Sequence, residues 1–153
     1  MSIQIRKATD TDFPSILSLI KELAEFEKGE VTNTVEQMNR EKEYFHCYVA
    51  ESDDREIIGI ALYYFVYYTW VGKSLYLEDI FVKDSYRGMK IGTSLMDKIF
   101  ETARLEDCKR IRWQVLKWNS NAIELYKKVG AEINDEWFNC TVGHATIKEF
   151  SLK

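Results

Sequence analysis

Residues 74–93 read SLYLEDIFVKDSYRGMKIGT. The first part, 74–82, is an apolar run broken by two adjacent acids, Glu78 and Asp79, and its aromatic and β-branched content predicts a strand. The second part carries Gly88 and Gly92 and then opens a helix, with Ile91, Leu95, Ile99 and Ala103 on one face. A strand that passes through a glycine turn into a helix start outlines an anion site. Glycines let a ligand approach the backbone, the helix N-terminus adds partial positive charge, and Arg87 and Lys90 add full charges. The ligand implied is a phosphate or pyrophosphate. The stretch is not a P-loop, because Gly-Lys-Ser/Thr is missing, and it is not GxGxxG. On its own, Gly-x-x-x-Gly equally describes an ordinary strand–helix turn.

The neighbouring segments extend this into a mixed order. Residues 44–51 and 57–67 read as strands joined by the turn SDDRE, and Trp70-Val71-Gly72-Lys73 turns into 74–82, which makes an antiparallel meander. Ahead of them, IQIRK at 3–7 alternates as a strand. A helix over 12–27 follows, with Phe13, Ile16, Leu17, Ile20, Leu23 and Phe26 on its apolar face. Asp10, Thr11 and Asp12 cap it, Pro14 fits its first turn, and Gly29 stops it. A weaker helix over 34–43 is opened by Asn33 or Thr34. After the central helix come a strand over 110–116 and a helix capped by Asn119, with Ala122, Leu125, Tyr126 and Val129 on one face and Gly130 at its end. A terminal strand pair, 137–142 and 145–152, turns at Gly143. The predicted order is β-α-α-β-β-β-α-β-α-β-β.

Composition narrows the classes. The chain has 153 residues, 46% apolar and 30% charged, the balance of one globular domain over 1–153. An aromatic content of 14% excludes disorder. No apolar run reaches the roughly 18 residues of a membrane span, and MSIQIRKATD lacks a leader's apolar region. A net charge of −4 argues against tracking nucleic-acid phosphates. Cys47, Cys108 and Cys140 with His46 and His144 give neither a disulfide framework nor a metal site, so we expect reduced thiols, no metal and a cytoplasmic protein.

Arg87-Gly88-x-x-Ile91-Gly92, set between an apolar strand and a helix, resembles the acetyl-CoA pyrophosphate loop of the GNAT superfamily of N-acyltransferases. YLEDIFV before it and WNSNAIELYKKVGA after it resemble the diamine acetyltransferase branch. LIKELAEFEK and GKSLYLEDIFV resemble most the thialysine N-acetyltransferase group, a sister of the spermidine/spermine acetyltransferases. The resemblance runs from about Ile5 to Trp137. It implies the GNAT α/β (α+β) fold, a mixed, twisted central sheet with helices on both faces. It further implies a homodimer that transfers an acetyl group from acetyl-CoA to the primary amine of a small cationic substrate, with no nucleic-acid or membrane partner. The amine would be that of thialysine, another lysine-like amino acid, a diamine or a polyamine.

Carried over residue by residue, the resemblance gives Ile80, Phe81 and Val82 the pantetheine and thioester, and Arg87, Gly88, Met89, Lys90, Ile91, Gly92 and Thr93 the pyrophosphate. Asn119 and Ala122 contact the pantetheine arm. Glu78 deprotonates the amine through water, and Tyr126 protonates the departing thiolate. Glu27, Glu78, Asp79, Glu136 and Trp137 surround the amine.

The residues themselves have plainer readings. Adjacent strand residues face opposite ways, so Glu78 and Asp79 cannot both avoid an apolar face, and a buried carboxylate needs a partner or a task. Tyr126 reads by position as a core tyrosine, Asn119 as an N-cap, and Glu27 as one exposed acid at a helix end unfavourable to anions. The run from Tyr63 to Trp70 lacks interleaved basic residues and reads as core and interface, not as a base-stacking platform. The spermidine/spermine enzymes carry an Asp where this chain has Tyr68-Thr69, which points away from long polyamines. Two other readings stay open: a GNAT enzyme for a protein N-terminus, lysine or antibiotic amine, and a non-catalytic CoA-binding domain.

Overall fold

The run IIGIALYYFVYY, free of proline and rich in β-branched and aromatic residues, forms the long central strand β3, Ile57–Tyr68. A computed structural model describes residues 2–152 of the chain. β3 pairs antiparallel with β2 (His46–Ser52) on one side and with β4 (Gly72–Val82) on the other. β1 (Ile3–Lys7) adds to β2 antiparallel, and β5 (Ile111–Arg112) adds to β4 parallel, so the sheet order is β1-β2-β3-β4-β5. The expected strand over 110–116 is thus reduced to two paired residues. β4 meets β5 only at Leu75–Ile111 and Tyr76–Arg112.

Each face of the sheet carries a helix. α1 (Phe13–Phe26) buries Phe13, Ile16, Leu17 and Leu19 against Val49, Ile60, Leu62 and Phe81. The helix that follows the glycine turn, Ile91–Leu105, buries Ile91, Leu95, Ile99 and Ala103 against Ala61, Tyr63, Leu75 and Leu77 on the opposite face. Each fully buried Ile or Leu contributes about 1.5–3 kcal/mol. Gly59 permits this second packing: a Cβ there would lie 3.2 Å from Leu95 Cδ1 and 3.3 Å from the Phe81 carbonyl oxygen. Between these two helices in sequence lies α2 (Val35–Arg40), so Ile91–Leu105 is α3. Thr34 opens α2, its hydroxyl accepting the Gln37 N–H at 3.1 Å. The turn into α1 is fixed by Arg6, which reaches Asp12 at 2.8 Å and Glu51 at 3.0 Å. Arg6 holds the Asp12 carboxyl below its ordinary range.

The chain divides into two compact units, one ending at Gln114 and one starting at Val115. The second holds α4 (Ser120–Lys128) and α5 (His144–Glu149). Here the terminal strand pair is overturned. Residues 132–143 are exposed and form neither helix nor strand, and 144–149 is helical. Alternation makes a strand only where a sheet edge accepts its backbone. In 144–149 the groups are instead satisfied locally, as when Ile147 N–H donates to the Gly143 carbonyl at 3.0 Å and Phe150 N–H to that of Thr146 at 2.9 Å. Among the described residues no helix is long and apolar enough to cross a membrane.

Candidate active site

The alternation of β4 breaks in its middle. Leu77 belongs to the core on the α3 side and Phe81 to the core on the α1 side. Residues at this spacing share a face on an unbroken strand, so one residue between them is out of step. The register identifies it. Leu77 stands opposite Tyr63 and Asp79 opposite Leu62, which leaves Glu78 without a partner on β3. Glu78 is the extra residue of a β-bulge. The expectation that Glu78 and Asp79 face opposite ways is therefore corrected. Asp79 lies on the α1 side with Leu62, and Glu78 is held toward that side by Tyr64, whose hydroxyl donates to Glu78 Oε2 at 2.8 Å. The Tyr64 ring itself stacks on Tyr76, centroids 5.5 Å apart.

The end of α1 brings a third acid. Glu27 is its C-cap residue, and the turn behind it closes with Gly29 N–H on the Ala24 carbonyl at 2.7 Å and Lys28 N–H on that of Glu25 at 3.1 Å. The left-handed position falls on Lys28, at φ 61°, and not on Gly29 as the sequence suggests. The other two carboxylates act on Asp79. Burial pushes the Asp79 carboxyl up to about 6, and the charges of Glu78 and Glu27 push the same way. Glu27 is also raised, by partial desolvation, although its side chain is open to solvent.

Beyond the bulge, β4 pairs with no strand on its second edge among the described residues. Lys83 N–H donates to the Ile58 carbonyl at 2.9 Å. Alternation in an antiparallel ladder then turns the N–H of Phe81 toward β3 and those of Ile80 and Val82 toward the open edge. Phe81 is buried, so its side chain supports the strand from the α1 face.

The turn after β4 ends in an uncapped helix. Gly88 has φ 81°, a conformation that L side chains rarely adopt, and a Cβ there would meet nothing within 4 Å. The second left-handed residue is Lys90, at φ 62°, and not Gly92. Lys90 is the N-cap of α3 and its side chain bonds none of the first-turn amides, so no side-chain cap covers the N–H groups of Ile91, Gly92 and Thr93. Arg87, Met89 and Lys90 are exposed around this end. Arg87 Nε lies 3.0 Å from Asp84 Oδ1.

The remaining candidates lie in the second unit. Asn119 caps α4, its Oδ1 accepting the Ala122 N–H at 3.3 Å. Tyr126 is half-buried on that helix, and its carbonyl accepts the Ala131 N–H at 3.0 Å. Glu136 and Trp137 lie in the exposed stretch before α5, with Trp137 79% exposed. The structure thus gathers Glu27, Glu78 and Asp79 in the first unit, and carries the tyrosine and the acid–aromatic pair in the second.

Residues 6–131 match the acetyltransferase (GNAT) family. The chain belongs to the GNAT acetyltransferase family. A thialysine N-epsilon-acetyltransferase from Mus musculus is 42% identical over 144 residues, covering 86% of this chain and 85% of that protein. A spermine/spermidine N(1)-acetyltransferase from Bacillus subtilis is 28% identical over 140 residues, covering 89% and 91%. Among solved structures, an acetyltransferase from Clostridium acetobutylicum with acetyl-CoA aligns at a TM-score of 0.76, with 21% identity and coverage of 97% and 99%.

Two features of this GNAT acetyltransferase were not readable from spacing. One is the bulge, and the other is Tyr64, which the sequence presents only as one ring in an aromatic run. Tyr68 lies at the far end of the hairpin. Gly72, its partner there, lies roughly 20 Å along β4 from Asp79 at the usual strand rise. The Tyr68 ring lies 5.1 Å from the Arg110 guanidinium and 4.7 Å from that of Arg112.

Proposed function

We propose that this enzyme transfers the acetyl group of acetyl-CoA to the primary amine of a small cationic substrate, a lysine-like amino acid such as thialysine or a short diamine. The observation that carries this reading is the grouping of Glu27, Glu78 and Asp79 on one side of β4, on the strand that leads into the uncapped start of α3. Three acids attract an ammonium, and an arriving cation offsets the burial and repulsion that raise the Asp79 carboxyl. The names of the relatives support the same substrate class.

In this reading the N–H groups of Ile80 and Val82 hold the pantetheine amides and the thioester carbonyl, and Arg87 to Thr93 take the pyrophosphate. Asn119 and Ala122 contact the pantetheine arm. Glu78 accepts a proton from the ammonium through water, and the freed amine attacks the thioester carbon. The tetrahedral oxyanion forms against backbone donors and collapses with cleavage of the C–S bond, and Tyr126 protonates the departing thiolate. The family resemblance assigns Glu136 and Trp137 to the amine as well. The family match crosses the boundary between the two units, which supports one domain over 1–153 acting as a unit. A cytoplasmic homodimer belongs to the same reading. The test is thiol release from acetyl-CoA with thialysine, putrescine, spermidine and spermine. Saturable release with the small cations supports the reading, and release only with a peptide moves it to protein acetylation.

A further inference from the structure

We propose that the Tyr64 hydroxyl is a positioning group for Glu78. By donating to one carboxylate oxygen it fixes where the carboxylate of the bulge residue lies, and it leaves the other oxygen to a water or an ammonium. This rests on the proposed reading of Glu78 as the base.

A bulge residue has no partner in the ladder to set its orientation. Glu78 is also exposed, so packing does not hold its carboxylate either. Tyr64 supplies what both lack. It belongs to the well-paired part of β3, its ring lies against Tyr76 at 5.5 Å and 21°, and from there its hydroxyl reaches Glu78 at 2.8 Å. Burial and the neighbouring carboxylate keep that phenol protonated, so toward Glu78 it is a donor. Asp79 is half-buried, and burial together with the charges of Glu78 and Glu27 pushes its carboxyl up to about 6. The charged and titratable groups around the pair are Tyr76 on β4, Tyr64 and Tyr68 on β3, Cys47 on β2, Glu27 at the end of α1, and Arg112 of β5 acting on Tyr76. Tyr64 is the one that bonds Glu78 directly.

Tyr64→Phe keeps the ring stack and removes only the donor. Its kcat for thialysine should fall about tenfold, with the KM for acetyl-CoA changed less than about threefold, because the carboxylate loses its fixed orientation and the fold is kept. In the Glu78→Gln background, Tyr64→Phe should lower kcat no further. An unchanged kcat in the single variant, or an equal further loss in the Glu78→Gln background, overturns the proposal. Failure of the underlying reading is distinguishable, since it shows as a parent enzyme that acetylates no amine.

Discussion

β4 carries two sites of opposite character within one short stretch. The acid group at Glu78 and Asp79 is made of side chains, depends on a bulge, and holds charges that repel one another. The turn into α3 is made of backbone, with uncovered amides and left-handed residues at Gly88 and Lys90. The first site is tuned by single atoms and the second by chain conformation. Substitutions that remove a functional group should therefore act on amine chemistry, and substitutions that change the backbone should act on acetyl-CoA.

The largest effect should come from Tyr126→Phe, which supplies no proton to the thiolate. Turnover should fall roughly 10²–10⁴-fold while acetyl-CoA binding persists. A loss under threefold in a binding-competent variant would return Tyr126 to a structural role. Next, the two glycines of the loop should separate. Gly88→Val forces a β-branched residue to φ 81° and should weaken acetyl-CoA binding at least tenfold by titration calorimetry. Gly92→Ala should change it little, because its Cβ would lie 3.9 Å from Val82 Cγ2, an ordinary contact. Equal effects at the two positions would remove the distinction between backbone and side-chain sites.

The acid site should yield a smaller effect, visible in stability. Asp79 has a folded-state pKa of about 6, above its unfolded value, so the folded state binds more protons in that window. Stability should fall as pH rises from about 4 to 6 and remain lower above it. Asp79→Asn should remove this dependence and stabilise the chain at pH 7 by about 1–2 kcal/mol, measured by urea unfolding, while raising the KM for the amine. A variant less stable than the parent at pH 7 would contradict the repulsion among Glu27, Glu78 and Asp79. Asp12 behaves oppositely, since Arg6 depresses it. Its stabilisation is present at neutral pH and lost as pH falls through its lowered value.

Much of this comparison was legible in the residues, and the rest was not for identifiable reasons. The meander and both long helices follow from period and punctuation. The turn after β4 is legible because glycine reports backbone freedom, although the second left-handed position fell to Lys90. Glu78-Asp79 stood out as misplaced charge, but their common side depends on the register against Leu62 and Tyr63, which no local pattern encodes. The C-terminal alternation failed for a similar reason: residues 145–152 have strand character, but a strand needs a partner that no local pattern supplies, and 144–149 is helical. Tyr68-Thr69 was read as a lost polyamine contact, and only strand geometry moves it to the far end of the hairpin.

The central claim is that the acids of β4 and α1 select a small cation for acetylation. Its most direct measurement is competition among thialysine, putrescine and an N-terminal peptide at fixed acetyl-CoA, in the parent enzyme and in Glu27→Gln/Asp79→Asn. The account predicts that the parent favours the small cations by at least tenfold in kcat/KM and that the double variant loses most of this preference. A parent enzyme that favours the peptide, or a double variant whose preference is unchanged, would contradict it.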